Sequence, residues 1–550
     1  MQDLSFIFPN ATCQIGAFEI SAMVYTFTNA FSLDPQKTSI QQIGDTISVC
    51  ANGLLTHGGQ SCAEGSVNIQ ISKHAASIRV DAAAKIAQSS EEIRCLKLIV
   101  EAPESGKIIN LIDARPREIT PQGVRFKYPE GWRDAGTPLV ILQQENGKYL
   151  YFRSLDTQVR EKTFVFAAQN GSLRAELVFE ETATQMRNSI CVPTWEIGYS
   201  STAEAISAEH CSHIRAAYDL QPWETRPDVP AWAREISLIA AIHAQHWTGY
   251  IFNDYGQILR NIQALCEKIE PKRILAFLPG WEGRYYWKYG NYGPDERMGG
   301  EKEFHRLCDG ARDLGVHLMP MFGIDIAGVH HDGFAEWGEP CELRTASGNF
   351  SRASVDWDGS RHFDHSSNRT LNPASPKWQN RLVQQITSLA DQYGFDAAFL
   401  DIAAVWANDP NHNVYEGVRR LAARLREDRP EMLLAGEGWY DGLMACIPLL
   451  QCGHTDGKLH WHDEAYPPML DTFARNFGHL CLGDPSRSST GVHEQGTNPE
   501  WCAPLRKGVI PTLTIVDGTL ERAPEKVDCI ISDAKEYAKR FLSCSVHTVP

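Results

Sequence analysis

Acidic side chains stand at or just beyond the ends of several short apolar runs in the second half of the sequence. An ionised carboxylate is costly to bury unless it is paired or lies where a buried segment opens into a site. In the run AAFLDIA, Asp401 directly follows four apolar residues. One such acid alone could be a helix N-cap or a solvated loop residue. Their recurrence predicts a site lined by carboxyl groups, from Glu282, Asp325, Asp401, Glu437, Asp456 and Asp484.

Asp401 and Glu437 are separated by one predicted strand–helix unit, which places them on neighbouring parallel strands. Neighbouring strands lie about 4.8 Å apart, and two carboxyl groups about 5–5.5 Å apart can cleave a glycosidic bond with retention of configuration. One carboxylate attacks the anomeric carbon, and the other donates a proton and later activates water. We expect Asp401 to be the nucleophile because it closes the most apolar strand, and Glu437 to be the acid/base.

Aromatic residues are dense beside these acids, above all in the loop PGWEGRYYWKYGNY (279–292). Sugars present apolar C–H faces and polar rims, which suit amphipathic rings next to carboxylates. The alternative is an aromatic cap that packs against another domain. We predict that the substrate-binding residues include Trp281, Glu282, Tyr285, Tyr286, Trp287, Asp325, Trp406, Trp439, His454 and Asp456.

Histidines in two loops raise the question of a metal. His330 and His331 follow Asp325 closely, and we expect them to bind substrate hydroxyls rather than a metal. The segment KLHWHDEAY (458–466) lacks further ligands at zinc spacing, and DWDGSRHFD (356–364) lacks the terminal glutamate of a calcium loop. We therefore predict neither a metal nor a cofactor.

The sequence segments that carry these residues have the pattern of alternating strands and helices. Eight apolar runs separated by amphipathic segments in about 320 residues predict a (β/α)8 TIM barrel. No G-x-G-x-x-G follows any of the runs, which disfavours the rival open doubly wound sheet. The runs are 238–247, 273–281, 316–325, 395–403, 432–439, 448–456, 479–486 and 509–518.

The first part of the chain has a different pattern. Segments such as SVNIQISKHAASIRVDA alternate with a period of two, and two hairpins are marked by turn residues at Asn146-Gly147 and Asn170-Gly171. We predict a β-sandwich domain over 1–200, a helix and Pro-rich linker over 201–230, and the catalytic barrel over 231–550.

Composition excludes some classes of partner. The formal net charge of −16 over 550 residues disfavours nucleic acid and anionic membranes, and no apolar run is long enough to span a bilayer. The first residues lack the pattern of a signal peptide. Fifteen cysteines without a C-x-x-C pair fit reduced thiols better than a disulfide framework. We expect a cytoplasmic protein whose partner is an oligosaccharide or glycoside; the sequence does not reveal the oligomeric state.

The strand-end pattern resembles that of glycoside hydrolases with a (β/α)8 barrel, in particular the α-amylase superfamily and the α-galactosidase-like and α-glucosidase-like enzymes. In amylase-like enzymes an aspartate nucleophile, a glutamate acid/base and a third aspartate end strands four, five and seven. The resemblance maps these onto Asp401, Glu437 and Asp484. The segment LNPASPKWQNRL (371–382) resembles the DP-x-x-P segment of the α-galactosidase-like and α-glucosidase-like chains, and bacterial glycosidase-like proteins also combine a sandwich with a barrel.

Several positions depart from the amylase pattern. Phe399 stands where those enzymes have arginine, Gly483 stands where they have histidine, and the residues after 520 predict a final helix rather than a C-terminal β-domain. In the α-galactosidase-like scheme, an aspartate ending strand six is the acid/base. That scheme would assign the role to Asp456 and leave Glu437 to bind substrate.

These observations favour a retaining glycosidase or transglycosidase that acts on α-linked sugars. Two alternatives stay open: an inverting glycosidase or polysaccharide lyase, and a catalytically silent carbohydrate-binding protein. A metal-dependent hydrolase fits least well, because no three-ligand zinc pattern is present in the sequence.

Overall fold

The alternating segments at the start of the chain form two antiparallel β-sheets that pack face to face. The computed structural model describes residues 10–56, 59–88, 90–111, 116–132, 134–169, 171–246, 249–284, 286–351, 368–452, 468–478 and 505–542. Within these residues, the strands of the sandwich are β1 (Cys13–Ile15), β2 (Phe18–Thr26), β3 (Ala30–Leu33), β4 (Thr38–Ile43), β5 (Thr46–Ala51), β6 (Leu54–Thr56), β7 (Cys62–Ala63), β8 (Gly65–Lys73), β9 (Ser77–Ile86), β10 (Ile93–Ala102), β11 (Lys107–Ile108), β12 (Arg117–Glu118), β13 (Val124–Tyr128), β14 (Leu139–Gln143), β15 (Tyr149–Ser154), β16 (Lys162–Gln169), β17 (Ser172–Glu180) and β18 (Ser189–Ser200).

The two sheets share one apolar core. One sheet has the order β13-β16-β17-β10-β2-β3-β6-β7 with β1 on β2, and the other has β12-β11-β14-β15-β18-β9-β8-β5-β4. Aromatic rings join them: Phe164 of one sheet meets Trp195 of the other edge to face at 5.7 Å. Both predicted hairpins are confirmed, as β14–β15 and β16–β17.

The second half of the chain forms a parallel eight-stranded barrel. Its strands are β19 (Leu238–Ile242), β20 (Ile274–Leu278), β21 (His317–Gly323), β24 (Ala397–Asp401), β25 (Leu433–Glu437), β26 (Leu449–Gln451), β27 (Arg475–Phe477) and β28 (Thr512–Ile515), and a small ladder of β22 (Ile326–Gly328) and β23 (Asn368–Thr370) lies beside it. The strands pair in chain order, with β28 next to β19. Asn476 forms a parallel bridge with Val509, which joins β27 to the segment entering β28 and closes the ring. The predicted sandwich-plus-barrel fold is confirmed.

Helices alternate with the barrel strands as the amphipathic segments predict. They are α1 (Ala203–Tyr218), α2 (Tyr255–Cys266), α3 (Gly300–Leu314), α4 (Phe334–Trp337), α5 (Pro376–Tyr393), α6 (Val414–Asp428), α7 (Pro468–Thr472), α8 (Thr519–Arg522) and α9 (Pro524–Tyr537). Capping side chains mark where a helix begins: Asp254 and Gln257 form a capping box at the start of α2. None of the helices in the described ranges is long and apolar enough to cross a bilayer.

The seventh strand lies elsewhere than expected. The apolar run 479–486 was the predicted strand, but the strand is Arg475–Phe477, and 479–486 is outside the described residues. Arg475 is buried because its guanidinium donates to the carbonyls of Asp471 and Ala474 and to the Glu224 carboxylate. The buried arginine interrupts the apolar pattern of this strand, so the sequence pattern does not predict a strand there.

The sandwich docks onto the barrel through a buried carboxylate. Asp441, four residues beyond Glu437, accepts hydrogen bonds from the Tyr128 hydroxyl at 2.6 Å and the Thr137 hydroxyl at 2.8 Å. Its backbone N–H donates to the Gly136 carbonyl at 2.7 Å. Burial raises the pKa of Asp441 to about 6. The chain that leaves β25 is therefore held by the loop that comes after β13.

Replacing Asp441 with Ala should lower the thermal midpoint, because the Tyr128 and Thr137 hydroxyls would lose their acceptor inside the interface. We expect a loss of about 3 kcal/mol, measured by calorimetry at neutral pH. The Asp441→Asn variant keeps one acceptor oxygen and should lose less. Equal midpoints for Asp441→Ala and wild type would contradict a structural role for this carboxylate.

Candidate active site

The two acids expected to react lie at the ends of adjacent strands. Asp401 is the last residue of β24 and Glu437 the last of β25, and these strands pair in parallel with Leu400 opposite Gly436. Carboxyl ends of parallel barrel strands meet at one face, where such barrels hold their sites. The predicted adjacency of these two residues is confirmed.

An aromatic layer lies beneath Asp401. Phe399, two residues earlier and therefore on the same face of the strand, contacts Phe277 at 4.4 Å and Phe477 at 6.0 Å between ring centroids. A small cavity beside this layer is lined by residues from six of the eight strands, namely Ala241, His243, Phe277, Pro279, Met321, Asp401, Gln451 and Thr514. Asp401 thus borders both the aromatic layer and a cavity of mixed polar and apolar lining.

Tyr289 anchors the Asp401 carboxylate. Its hydroxyl donates to Oδ2 at 2.6 Å, and both side chains are buried. The ring lies so close to Gly323 that a Cβ at that position would be 2.0 Å from the ring. A glycine at the end of β21 is therefore required for Tyr289 to reach Asp401.

The Asp401 and Glu437 carboxyl groups interact, and each influences the pKa of the other. Glu437 Oε2 also accepts the Ile402 N–H at 3.1 Å, and the Trp132 side chain donates to the same carboxyl group. Burial raises the pKa of Asp401 to about 6, with the Tyr289 and Glu437 hydrogen bonds opposing the rise. Burial and the Asp401 charge raise the pKa of Glu437 well above its ordinary value.

The backbone is strained immediately after Asp401. Ile402 has φ +57°, a left-handed conformation that is unfavourable for a β-branched residue. In this conformation its N–H points at Glu437. The strain, on the order of 1–3 kcal/mol, is thus associated with a contact to the second carboxyl group.

Two further acids approach the pair with unpartnered oxygens. Glu282 and Asp325 are each 1% exposed. Both carboxyl oxygens of Glu282 and Oδ1 of Asp325 have no hydrogen-bond partner among the described residues. Burial and the charge of Asp401 raise the pKa of both groups well above the ordinary range. These oxygens can accept hydrogen bonds from the hydroxyl groups of a ligand.

The predicted site residue Trp281 lies in the core of the barrel. Its ring is fully buried, stacks on Phe304 at 4.9 Å and donates from Nε1 to the Met321 carbonyl. Its contact with substrate stays a prediction. The neighbouring Glu282 is also buried, but its carboxyl oxygens have no hydrogen-bond partner among the described residues.

Four of the other predicted residues gather around Tyr289. The Tyr286 ring meets Tyr289 edge to face at 5.4 Å, and the His331 imidazole contacts the Tyr289 carbonyl at 3.0 Å. Trp287 and His330 stack on each other at 4.1 Å. Burial lowers the pKa of His331 to about 4, which keeps this imidazole neutral at ordinary pH.

The two tryptophans that come after the pair have different surroundings. Trp406 packs beside Leu343 and Val414, and its indole nitrogen has no partner in the described part of the chain. Trp439 is buried, and its backbone N–H donates to the Gly131 carbonyl at 2.9 Å. The sandwich loop that carries Gly131 and Trp132 therefore forms one side of the site.

Several predicted residues lie outside the described residues, namely Tyr285, His454, Asp456 and Asp484, together with the segments 458–466 and 356–364. Their roles stay predictions. Among the described ranges, no group of three or more His, Cys, Asp or Glu side chains is arranged to hold a metal ion. All twelve cysteines in those ranges are free thiols.

Sequence reasoning did not assign Tyr289 and Trp132 to the site. Tyr289 lies in the aromatic loop that was singled out, but nothing in its spacing indicates that its hydroxyl reaches a strand 112 residues later. Trp132 belongs to the other domain, in the segment EGW (130–132). Only the contact between sandwich and barrel brings it to Glu437.

Comparisons with known proteins identify relatives by fold alone. No family model and no curated protein matches the sequence. The α-N-acetylgalactosaminidase NagBb from Bifidobacterium bifidum is 12% identical with a TM-score of 0.64, over 96% of this chain and 93% of that one; its GalNAc complex gives 11% and 0.65 over the same shares. The GH36 α-galactosidase AgaA from Geobacillus stearothermophilus is 13% identical with a TM-score of 0.50, over 96% and 76%. The chain is thus similar in fold to these α-galactosidase-type structures.

Replacing Asp401 with Asn should stabilise the protein above pH 6 and change little at pH 4. The folded-state pKa of about 6 exceeds the roughly 3.9 of an unfolded chain. The folded protein therefore keeps a proton that the unfolded chain has released, and its stability falls as pH rises through this window. Asparagine cannot ionise and avoids a loss on the order of 3 kcal/mol, measurable as melting temperature between pH 4 and 8.

Asp313, an exposed aspartate on α3, provides the matched control as Asp313→Asn. A difference between Asp401→Asn and wild type that stays constant from pH 4 to 8 would contradict a raised pKa at Asp401.

Proposed function

We propose that the protein is a retaining glycoside hydrolase that acts on α-linked sugars. The observation that carries this proposal is the pair of interacting carboxyl groups at the ends of adjacent barrel strands. The fold similarity to an α-N-acetylgalactosaminidase and an α-galactosidase supports the same class of enzyme.

The spacing of the pair favours retention over inversion. Neighbouring parallel strands lie about 4.8 Å apart, and Asp401 and Glu437 end two such strands. Retaining glycosidases hold their carboxyl groups about 5–5.5 Å apart, whereas inverting enzymes leave about 6.5–9.5 Å for a water molecule. The adjacent strand ends therefore favour a retaining enzyme.

The different pKa values of Asp401 and Glu437 favour a different catalytic role for each carboxyl group. At neutral pH, Asp401 with a pKa of about 6 is mostly ionised and can attack the anomeric carbon. Glu437, whose pKa is raised further, keeps its proton and can protonate the leaving oxygen. Once the glycosyl–Asp401 ester has formed, the Glu437 carboxylate accepts a proton from water or from another sugar hydroxyl. The second acceptor would make the enzyme a transglycosidase.

Asp456 is the alternative acid/base. The α-galactosidase-like scheme places that residue at the end of the sixth strand, and β26 ends at Gln451, five residues before it. In this scheme Glu437 would bind a substrate hydroxyl and hold Asp401 in place. Asp484 stays a candidate for a third catalytic acid.

The substrate class can be inferred from the unpaired acids and the fold relatives. Glu282 and Asp325 offer buried acceptor oxygens, which suits a ligand rich in hydroxyl groups. One relative was solved with GalNAc and another carries the name α-galactosidase. We infer that this protein takes a terminal α-linked galactose-type sugar, with Tyr286, Trp287, His330, His331, Trp406 and Trp439 as the candidate contacts around it.

Wild-type protein should cleave an aryl α-galactoside or α-N-acetylgalactosaminide with retention, because Asp401 would form and then release a covalent glycosyl ester. A proton-NMR time course identifies the anomer that is released first. Asp401→Asn should lower kcat by at least about 10³-fold, since the nucleophile is lost.

The matched control is Asp396→Asn, an acid at the opposite end of the same strand that contacts His317. Activity should survive this change, because that end of a barrel strand serves stability. An inverted first product would contradict the pairing. Sugar binding without turnover, unchanged in Asp401→Asn, would favour the catalytically silent binder.

The acid/base can be assigned from the leaving group. Without the acid, turnover of substrates with alkoxide-type leaving groups should fall much more than turnover of dinitrophenyl glycosides, which need little protonation. We expect this difference, at least about 100-fold, for Glu437→Gln and not for Asp456→Asn. The reverse result would assign the role to Asp456.

A further inference from the structure

A buried glutamine lies close to the carboxyl cluster. Gln245 is 0% exposed, and neither Oε1 nor Nε2 of its side chain has a hydrogen-bond partner among the described residues. A primary amide buried in this way costs free energy unless a ligand or a water molecule completes its hydrogen bonds. Gln379, a buried glutamine of α5, differs in this respect, because its Nε2 donates to the carbonyls of Pro373 and Gly417.

Gln245 lies at the face of the barrel that carries Asp401. It follows the last residue of β19 by three residues, so it belongs to the carboxyl end of that strand, where such barrels hold their sites. His243 and Pro279 line the cavity that Asp401 also borders. Just beyond these two residues, the Gln245 N–H donates to the Gly280 carbonyl at 3.2 Å. The contact between Gln245 and Gly280 therefore comes directly after the residues that line the cavity.

The turn that carries Glu282 folds against the backbone of Gln245. The Gly280 carbonyl also accepts the Gly283 N–H at 3.2 Å, so Gln245 and the residue after Glu282 share one acceptor. Only glycine fits at position 280, because its φ is +68° and a Cβ would lie 1.9 Å from the Gln245 carbonyl oxygen. This close approach brings the backbones of Gln245 and Glu282 together.

The side chains of Gln245 and Glu282 nevertheless do not bond to each other. Both carboxyl oxygens of Glu282 are without a partner in the described part of the chain, as are both polar atoms of the Gln245 amide. Glu282 is 1% exposed, so bulk water does not satisfy it. A ligand group that carries both a hydrogen-bond donor and an acceptor would complete such a pair of side chains.

We propose that Gln245 is a further substrate-binding residue, whose Oε1 and Nε2 bind a donor and an acceptor of the sugar at the same time. This inference rests on the proposed glycosidase function. Galactose-type sugars can carry two groups that match a planar amide. A 2-acetamido group offers one N–H and one C=O, and two neighbouring hydroxyl groups offer one donor and one acceptor. An ionised carboxyl group only accepts, so the nearby acids do not provide this pairing.

The burial of Gln245 makes the contact selective. A site with buried polar groups rejects ligands that lack the matching group, because those polar groups would then stay unpaired and desolvated. Without a sugar, the Gln245 amide is a cost to the folded protein, and an apolar side chain of similar size would remove that cost. Gln245 should therefore contribute to sugar binding and not to stability, a combination that a purely structural glutamine does not show.

Replacing Gln245 with methionine separates these two contributions. Methionine has a similar length and no hydrogen-bond donor. Full-length Gln245→Met should melt no lower than wild type without sugar, and it should bind the preferred sugar about tenfold more weakly. Calorimetric titration with galactose and with N-acetylgalactosamine measures the affinities. A loss confined to N-acetylgalactosamine would assign the amide to the acetamido group, and an equal loss for both sugars would assign it to neighbouring hydroxyl groups.

Gln379→Met is the matched control, because it removes a buried amide that is already bonded. It should lower the melting temperature and leave both sugar affinities unchanged. Circular dichroism checks that the variants fold. Gln245→Glu keeps the shape of the side chain and loses the donor, so it should show the same loss of affinity if the methionine variant does not fold.

The outcomes distinguish this inference from the function on which it rests. A wild type that binds neither sugar and cleaves neither aryl α-glycoside would overturn both. Wild-type binding or turnover with the same affinity and the same kcat/KM in Gln245→Met and Gln245→Glu would overturn the inference alone and assign the amide to a buried water molecule. A lower melting temperature for Gln245→Met with wild-type sugar affinity would assign a structural role and overturn the inference as well.

Discussion

The site depends on keeping the Asp401 carboxyl group buried above a layer of phenylalanine rings. An isolated carboxylate in such surroundings would be unstable by many kcal/mol, so its neighbours must supply hydrogen bonds or a proton. Tyr289 donates to one oxygen, and the Glu437 carboxyl group interacts with the same side chain. These contacts leave the pKa of Asp401 raised only to about 6, so the group is buried and still able to ionise near neutral pH.

The second carboxyl group is positioned from two domains. Ile402, held at positive φ, donates its N–H to Glu437, and the sandwich residue Trp132 donates from its side chain. Four residues further on, Asp441 fixes the same stretch of chain to Tyr128 and Thr137. The sandwich is therefore part of the wall of the site, and the geometry at Glu437 depends on how firmly the two domains are joined.

Local periodicity in the sequence was sufficient to predict the barrel and the neighbouring positions of its two central acids. Counting one strand–helix unit between Asp401 and Glu437 predicts adjacent strand ends, because parallel neighbours in a barrel follow chain order. Periodicity could not predict Tyr289 or Trp132, whose contacts join distant parts of the chain. Trp281 lies in an irregular turn where period-two reasoning does not apply, so its inward packing on Phe304 was missed. The strand at Arg475–Phe477 was misplaced because its arginine is satisfied by carbonyl groups rather than by apolar packing.

Four carboxyl groups lie close enough together that the ionisation of one raises the pKa values of the others. Glu282, Asp325 and Glu437 all have pKa values raised by burial and by the charge of Asp401, so ionising Asp401 disfavours ionisation of the other three. Among the four, Asp401 is the group whose carboxylate accepts the 2.6 Å hydrogen bond from Tyr289, and this contact favours its ionised form. In the proposed mechanism, this difference in surroundings would separate a nucleophile from a proton donor although both are carboxylic acids. The apolar layer beneath Asp401 would then contribute to function, because a more polar layer would lower these pKa values and favour loss of the Glu437 proton.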